Sequence, residues 1–162
     1  MPDHILEMRL WLPRPRPEVF AFFANPANLT VVTPRWLGLT LLTVPPELEA
    51  GTVIEYRVRW LGVPLRWRSM IREYDPPYRF VDVQLWGPYA RWEHRHLFVE
   101  GTAGGEGEGE TAIGTWVEDR VTYQLPFGLL GRCLHALLVR RQLEAIFAYR
   151  RAQLLEHFGG GA

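Results

Sequence analysis

A chain of 162 residues, 48% hydrophobic and 13% aromatic, is long enough to bury a core as one domain and too apolar to stay disordered. Its 18 basic and 18 acidic residues cancel, which leaves no electrostatic footprint for nucleic acid or an anionic membrane. Every basic residue is arginine, so lysine chemistry of the Schiff-base or P-loop kind is excluded.

The single cysteine, Cys133, cannot form an internal disulfide and fits a reducing compartment. The opening MPDHILEMRL lacks the apolar stretch of a signal peptide, and no apolar run approaches the ~18 residues of a spanning helix. A cytoplasmic protein without stable membrane insertion is expected, and a homodimer is compatible with this reading.

His4 to Leu12 alternates as a first strand and ends at Pro13, Pro15 and Pro17. Pro17-Glu18 before VFAFFA reads as a short helix, with an acid in its first turn. Asn25-Pro26 stops it, and a second short helix is expected to reach Thr33-Pro34. Leu39 to Val44 is a strand candidate closed by Pro45-Pro46. Thr52 to Trp60 is a stronger strand, and Gly62-Val63 suits a hairpin turn into Leu65–Tyr74. That register pairs Val58 with Trp67 and Tyr56 with Ser69. It leaves Arg57, Arg59, Arg66 and Arg68 on the other face, read as solvated, or else as a surface for an acidic partner.

Tyr78 to Phe98, YRFVDVQLWGPYARWEHRHLF, reads as a hairpin with two unlike faces. Phe80, Asp82, Gln84 and Trp86 share one face with Trp92, His94, His96 and Phe98. A turn centred on Tyr89 pairs Gln84 with His94 and Asp82 with His96. Gly101 to Glu110 is an acidic glycine-rich loop, and Thr115 to Leu125 a last strand with Asp119 and Tyr123 facing inward. Residues 132 to 157 are helical, about 39 Å long at 1.5 Å per residue. Cys133, Leu134, Leu137 and Leu138 lie far round the wheel from Leu143, Ile146, Phe147 and Leu154. Either that helix bends near Val139–Arg141 or it rolls between two partners. Cys133 reads as packing.

Strand, two short helices, six strands and a long helix make an α+β chain, which buries its helix most economically in a curved antiparallel seven-stranded sheet. The segments PEVFAFFANPANL, GVPLRWRSMI, YDPPYRFVDVQLWGPYARWEHRHLF, VEDRVTYQLPFGLLG and RRQLEAIFAYR carry a resemblance to the SRPBCC superfamily. This is the START and pollen-allergen type of helix-grip fold, and the bacterial ligand-binding and polyketide cyclase/dehydrase-like members are the most similar. The resemblance implies one START-like domain over residues 1–158, a tail at 159–162, and a deep cavity between sheet and last helix. Some relatives carry an adjoining nucleotide-sugar epimerase-like domain, for which this sequence has no segment.

The inward face collects Tyr56, Trp67, Ser69, Phe80, Asp82, Gln84, Trp92, His94, His96, Asp119 and Tyr123. Aromatic walls with a few convergent polar groups describe a small-molecule pocket. The alternative is a filled core in which Asp82 pairs with His96. A small hydrophobic ligand is the expected partner, its polar head read by Asp82, Gln84, His94, His96 and Asp119. Were there catalysis, His94 and His96 would be general acid/bases with Asp82 orienting one imidazole, as cyclase/dehydrase-like relatives imply.

No cofactor is expected. His94-Arg95-His96 with Glu100 and Gly107 partly matches a first cupin motif, but Gly131 stands where the second needs histidine, so no metal site is expected. Gly107 to Ala112 fits GxGxxA in letters only, because a strand pattern follows and its acids would repel phosphate.

Overall fold

The computed structural model describes residues 2–103 and 112–159. Seven antiparallel strands form one sheet in the order β1-β7-β6-β5-β4-β3-β2. They are β1 (His4–Leu12), β2 (Thr40–Leu41), β3 (Val53–Trp60), β4 (Val63–Asp75), β5 (Arg79–Trp86), β6 (Arg91–Thr102) and β7 (Ile113–Gln124). Helix α1 (Arg16–Phe23) follows β1, and α2 (Gly128–Leu134) and α3 (Arg140–Phe158) follow β7. This is the helix-grip arrangement: a meander from β2 to β7, closed by β1 on β7, with α3 laying Leu143, Phe147, Leu154 and Phe158 into the interior.

Proline chemistry sets the N-terminal third. α1 begins after Pro15 with Pro17 in its first turn, and buries Val19 and Phe20. The expected second helix is two 3₁₀ turns, Pro26–Thr30 and Arg35–Leu37, the first capped by Asn25 Oδ1 accepting from the Ala27 amide at 3.1 Å. The expected strand at Leu39–Val44 shrinks to Thr40–Leu41.

Both hairpins differ from their expected registers by two residues. Leu61 (φ 48°) and Gly62 (φ 81°) occupy the β3–β4 turn, both left-handed as a primed two-residue turn requires. Tyr56 therefore pairs with Trp67 and Ile54 with Ser69. In the second hairpin Asp82 pairs with His94 and Phe80 with His96. An even slip preserves side-chain parity, so the inward set stays inward. Trp86 is the exception: it pairs with Arg68 and is 60% exposed. Arg57, Arg59, Arg66 and Arg68 are exposed, with Arg68 held 3.2 Å from Glu55.

Between α2 and α3 lies a single π turn, His135–Val139. Its extra residue resets the helical phase between them. Of the second apolar group Leu143, Phe147 and Leu154 are buried and Ile146 partly so, whereas in the first only Leu134 is partly buried. Leu137 and Leu138 are half exposed or more and Cys133 is exposed, so the packing role expected for Cys133 does not hold. Gly159 closes α3 in a left-handed cap, its amide donating to the Leu155 carbonyl at 2.9 Å. The acidic loop beyond residue 103, the GxGxxA match up to Thr111 and the tail beyond Gly159 lie outside the described residues.

Candidate functional site

Strand β6 is flanked by β5 and β7, and the two registers set a carboxylate on either side of its histidines. Asp82 stands opposite His94 and Asp119 opposite His96. The two imidazoles, two residues apart on one face, lie with centroids 3.8 Å apart and planes tilted by 37°. His94 Nε2 lies 3.2 Å from Asp119 Oδ1, and its Nδ1 lies 3.9 Å from Asp82 Oδ2. His96 Nε2 lies 3.3 Å from Asp82 Oδ2, and its Nδ1 lies 2.6 Å from Asp119 Oδ1. That last contact is short but out of line for a hydrogen bond, and Asp119 Oδ2 has no protein partner. Coulomb attraction, rather than a directed bond, therefore holds His96 to Asp119.

The electrostatics divide the four groups. Burial pushes His94 below the usual imidazole value, helped by the charge of His96. Burial pushes His96 the same way, but Asp119 and Asp82 outweigh it and hold His96 above its ordinary value. Asp119 is opposed by its own burial, yet the charge of His96 and the hydrogen bond from His94 hold it far below the carboxylate range. Asp119 therefore favours its carboxylate form and His96 its protonated form, while the neighbouring His94 favours its neutral form, with Asp82 on the far side. Burial, then the charge of Asp82, raises the Tyr56 phenol, which stays protonated.

Two pockets open on the inner face of the sheet, one beneath α1 and the 3₁₀ turn that follows it and one beneath α3, with Arg150 at both. One, of about 150 Å³, is walled by residues including Phe22, Ile54 and Phe80, with Asp82, His94 and His96 on its floor. The other, of about 90 Å³, is lined by Trp60, Trp67, Tyr89 and Leu143 among others. Tyr56, Trp92, His94 and Arg150 line both. A larger open groove beside Pro46, Tyr74 and Pro77 is walled mostly by apolar residues and holds no His–Asp cluster.

Of the expected residues, Tyr56, Ser69, Phe80, Asp82, Trp92, His94 and His96 meet at the first pocket, and Trp67 at the second. Asp119 lies beneath the imidazoles and acts through them. Tyr123 sits beyond the pockets, its hydroxyl 2.7 Å from His135 Nε2. Gln84 is turned away: its amide donates to the Tyr89 carbonyl at 2.8 Å and accepts from the Tyr89 amide at 3.3 Å. It fastens the hairpin turn.

Two residues escaped the sequence reading. Tyr89 is a turn residue that folds back into the molecule, packing its ring against Trp60, Trp67, Trp92 and Tyr123. No local pattern distinguishes it. Arg150 was legible: it occupies the spacing Leu143, Phe147, Arg150, Leu154, an arginine in an apolar stripe.

Asp82, His94 and His96 each offer one ligand atom, all within 4.8 Å of one another, a donor set a divalent cation accepts. His94 Nε2 already meets Asp119 and His96 Nε2 already meets Asp82 at hydrogen-bonding distance, so each imidazole has a carboxylate partner without an ion.

No known family profile and no curated protein matches the sequence. Solved structures do. The nucleoside-diphosphate sugar epimerase of Corynebacterium glutamicum is 25% identical with a TM-score of 0.63 over 93% of this chain, which spans 28% of that protein. Ara h 8.0201 (14% identity, TM-score 0.57) is covered over 99% of its length by 96% of this chain. The major latex-like protein 151 of Panax ginseng (10% identity, TM-score 0.61) is covered over 97% by 96% of this chain. In architecture, strand order and structural neighbours alike, the chain has the helix-grip fold.

Proposed function

We propose that this protein binds a small, largely hydrophobic molecule between the sheet and α3, as a ligand-binding or carrier protein. The observation that carries the reading is the pair of apolar pockets sharing one polar seam of Tyr56, His94 and Arg150. A filled core could close over such groups only by pairing each of them, because a buried polar atom left unpaired costs ~1–3 kcal/mol. Here the walls supply apolar area and the seam supplies orientation. Native mass spectrometry of the protein as isolated tests this directly. A stoichiometric small molecule is expected, or failing that a rise in melting temperature with lipid-like probes. A protein that carries nothing and responds to no probe would refute it.

One observation favours a second reading, cyclase/dehydrase-like chemistry. His94 reaches the pocket while a buried carboxylate holds its far nitrogen, which is how a general base is oriented. His94→Ala and His96→Ala would then lower turnover ~10²-fold or more with affinity largely kept. Equal loss of binding and turnover would return the histidines to recognition.

A further inference from the structure

Arg150 is 8% exposed, lines both pockets, and has no anionic partner among the described residues. Its Nε is buried without an acceptor, and its guanidinium carbon lies 5.1 Å from the centre of the Phe147 ring. Two other arginines of α3 are provided for. Arg140 pairs with Glu144 at 3.0 Å, and Arg151 donates to the Arg9 carbonyl at 3.1 Å. A guanidinium cannot discharge by losing its proton, and an uncompensated buried charge is among the costliest features a fold can keep. No carboxylate among the described residues lies at ion-pair distance from it: Asp119 lies under the imidazoles, and Asp82, on the wall of the same pocket, is 3.3 Å from His96.

We propose that the ligand is an amphiphilic monocarboxylate, its head held by Arg150 where the two pockets meet and its body against Tyr56, Trp92 and Leu29. This rests on the cavity reading above and adds the charge of the occupant. A planar guanidinium meets a carboxylate with two parallel N–H···O bonds, and the protonated phenol of Tyr56 lines the same junction as a further donor. The guanidinium the pockets share has no carboxylate among the described residues at ion-pair distance, so an anionic head is what it can take. A phosphate monoester would bring a second charge toward Asp82, and a neutral lipid would leave Arg150 as it is.

Calorimetric titration at pH 8 with matched probes tests the proposal: decanoate against decan-1-ol, and 2-naphthoate against 2-naphthol. The wild type is expected to prefer the acid by about ten- to a hundredfold, the worth of a charge-assisted hydrogen bond. Arg150→Met abolishes the preference while keeping affinity for the alcohol, and Arg150→Lys restores part of it. Arg150→Met without ligand melts no lower than the wild type, because the charge it removes has no partner. Acid and alcohol binding alike, with Arg150→Met unchanged, would overturn the proposal and leave the cavity reading standing. Binding of none of the four probes would remove both. An Arg150→Met protein that melts far below the wild type would show the guanidinium paired within the fold, and would also overturn it.

Discussion

Replacing Asp119 by asparagine keeps the shape of a fully buried side chain and removes its charge. The carboxylate takes a hydrogen bond from His94 at 3.2 Å and faces His96 Nδ1 at 2.6 Å. Breaking one half of a buried ion pair costs ~3–5 kcal/mol, of which a retained Asn–His94 bond returns ~1, leaving about 2–4 kcal/mol. For a chain of this length each kcal/mol moves the melting temperature by ~2–4 °C, so a fall of about 4–16 °C is expected. The pH dependence separates charge from packing. His96 is raised, so its contribution is complete below an unfolded value of ~6.5 and is lost as pH climbs through its folded value. Asp119 is lowered, so its contribution is present above ~3.9 and is lost only as pH falls toward its folded value. His94 is depressed and destabilises on the acid side, more so without Asp119 to ease its protonation. The penalty of Asp119→Asn is therefore largest near pH 5.5 and shrinks toward pH 9. Circular-dichroism melts of both proteins at those two pH values measure it. A fall of under ~2 °C at pH 5.5, or an equal fall at both, would refute the ion pair.

Tyr89→Ala removes the ring that four aromatic neighbours surround and is expected to cost ~3–5 kcal/mol in urea denaturation, against well under 1 for an ordinary turn residue. Gly114→Ala would put a Cβ 2.3 Å from the Leu12 carbonyl and 2.7 Å from the Trp11 ring, so it should destabilise by ~1–3 kcal/mol or more, read from the same transition. Dialysis against EDTA should leave the melting temperature unchanged, since each imidazole already has a carboxylate partner; a clear fall, reversed by one divalent metal, would show Asp82, His94 and His96 holding an ion.

Parity was the durable part of the sequence. Alternation on β6 turns Trp92, His94, His96 and Phe98 inward whatever the register, because every available slip was even. Which carboxylate meets which histidine was not legible, since that depends on turn geometry. Leu61 at a positive φ is not a residue any turn preference selects, and Tyr89 turns inward only because three indoles and Tyr123 surround it. The irregular β4–β5 pairing beside Trp86, where Arg68 meets Trp86 and Ser69 meets Gln84, is likewise set by pairing rather than composition. Arg150 needed only a sharper look at helical spacing, and it changes the chemistry of the cavity more than Gln84, which the turn claims.

The π turn at His135–Val139 gives the C-terminal segment a rotary joint. Deleting one residue there would swing α2 by about 100° around the axis while the Leu143–Leu154 stripe stayed seated. Chains of this architecture that differ by one residue at that joint would wear different outer coats over the same interior.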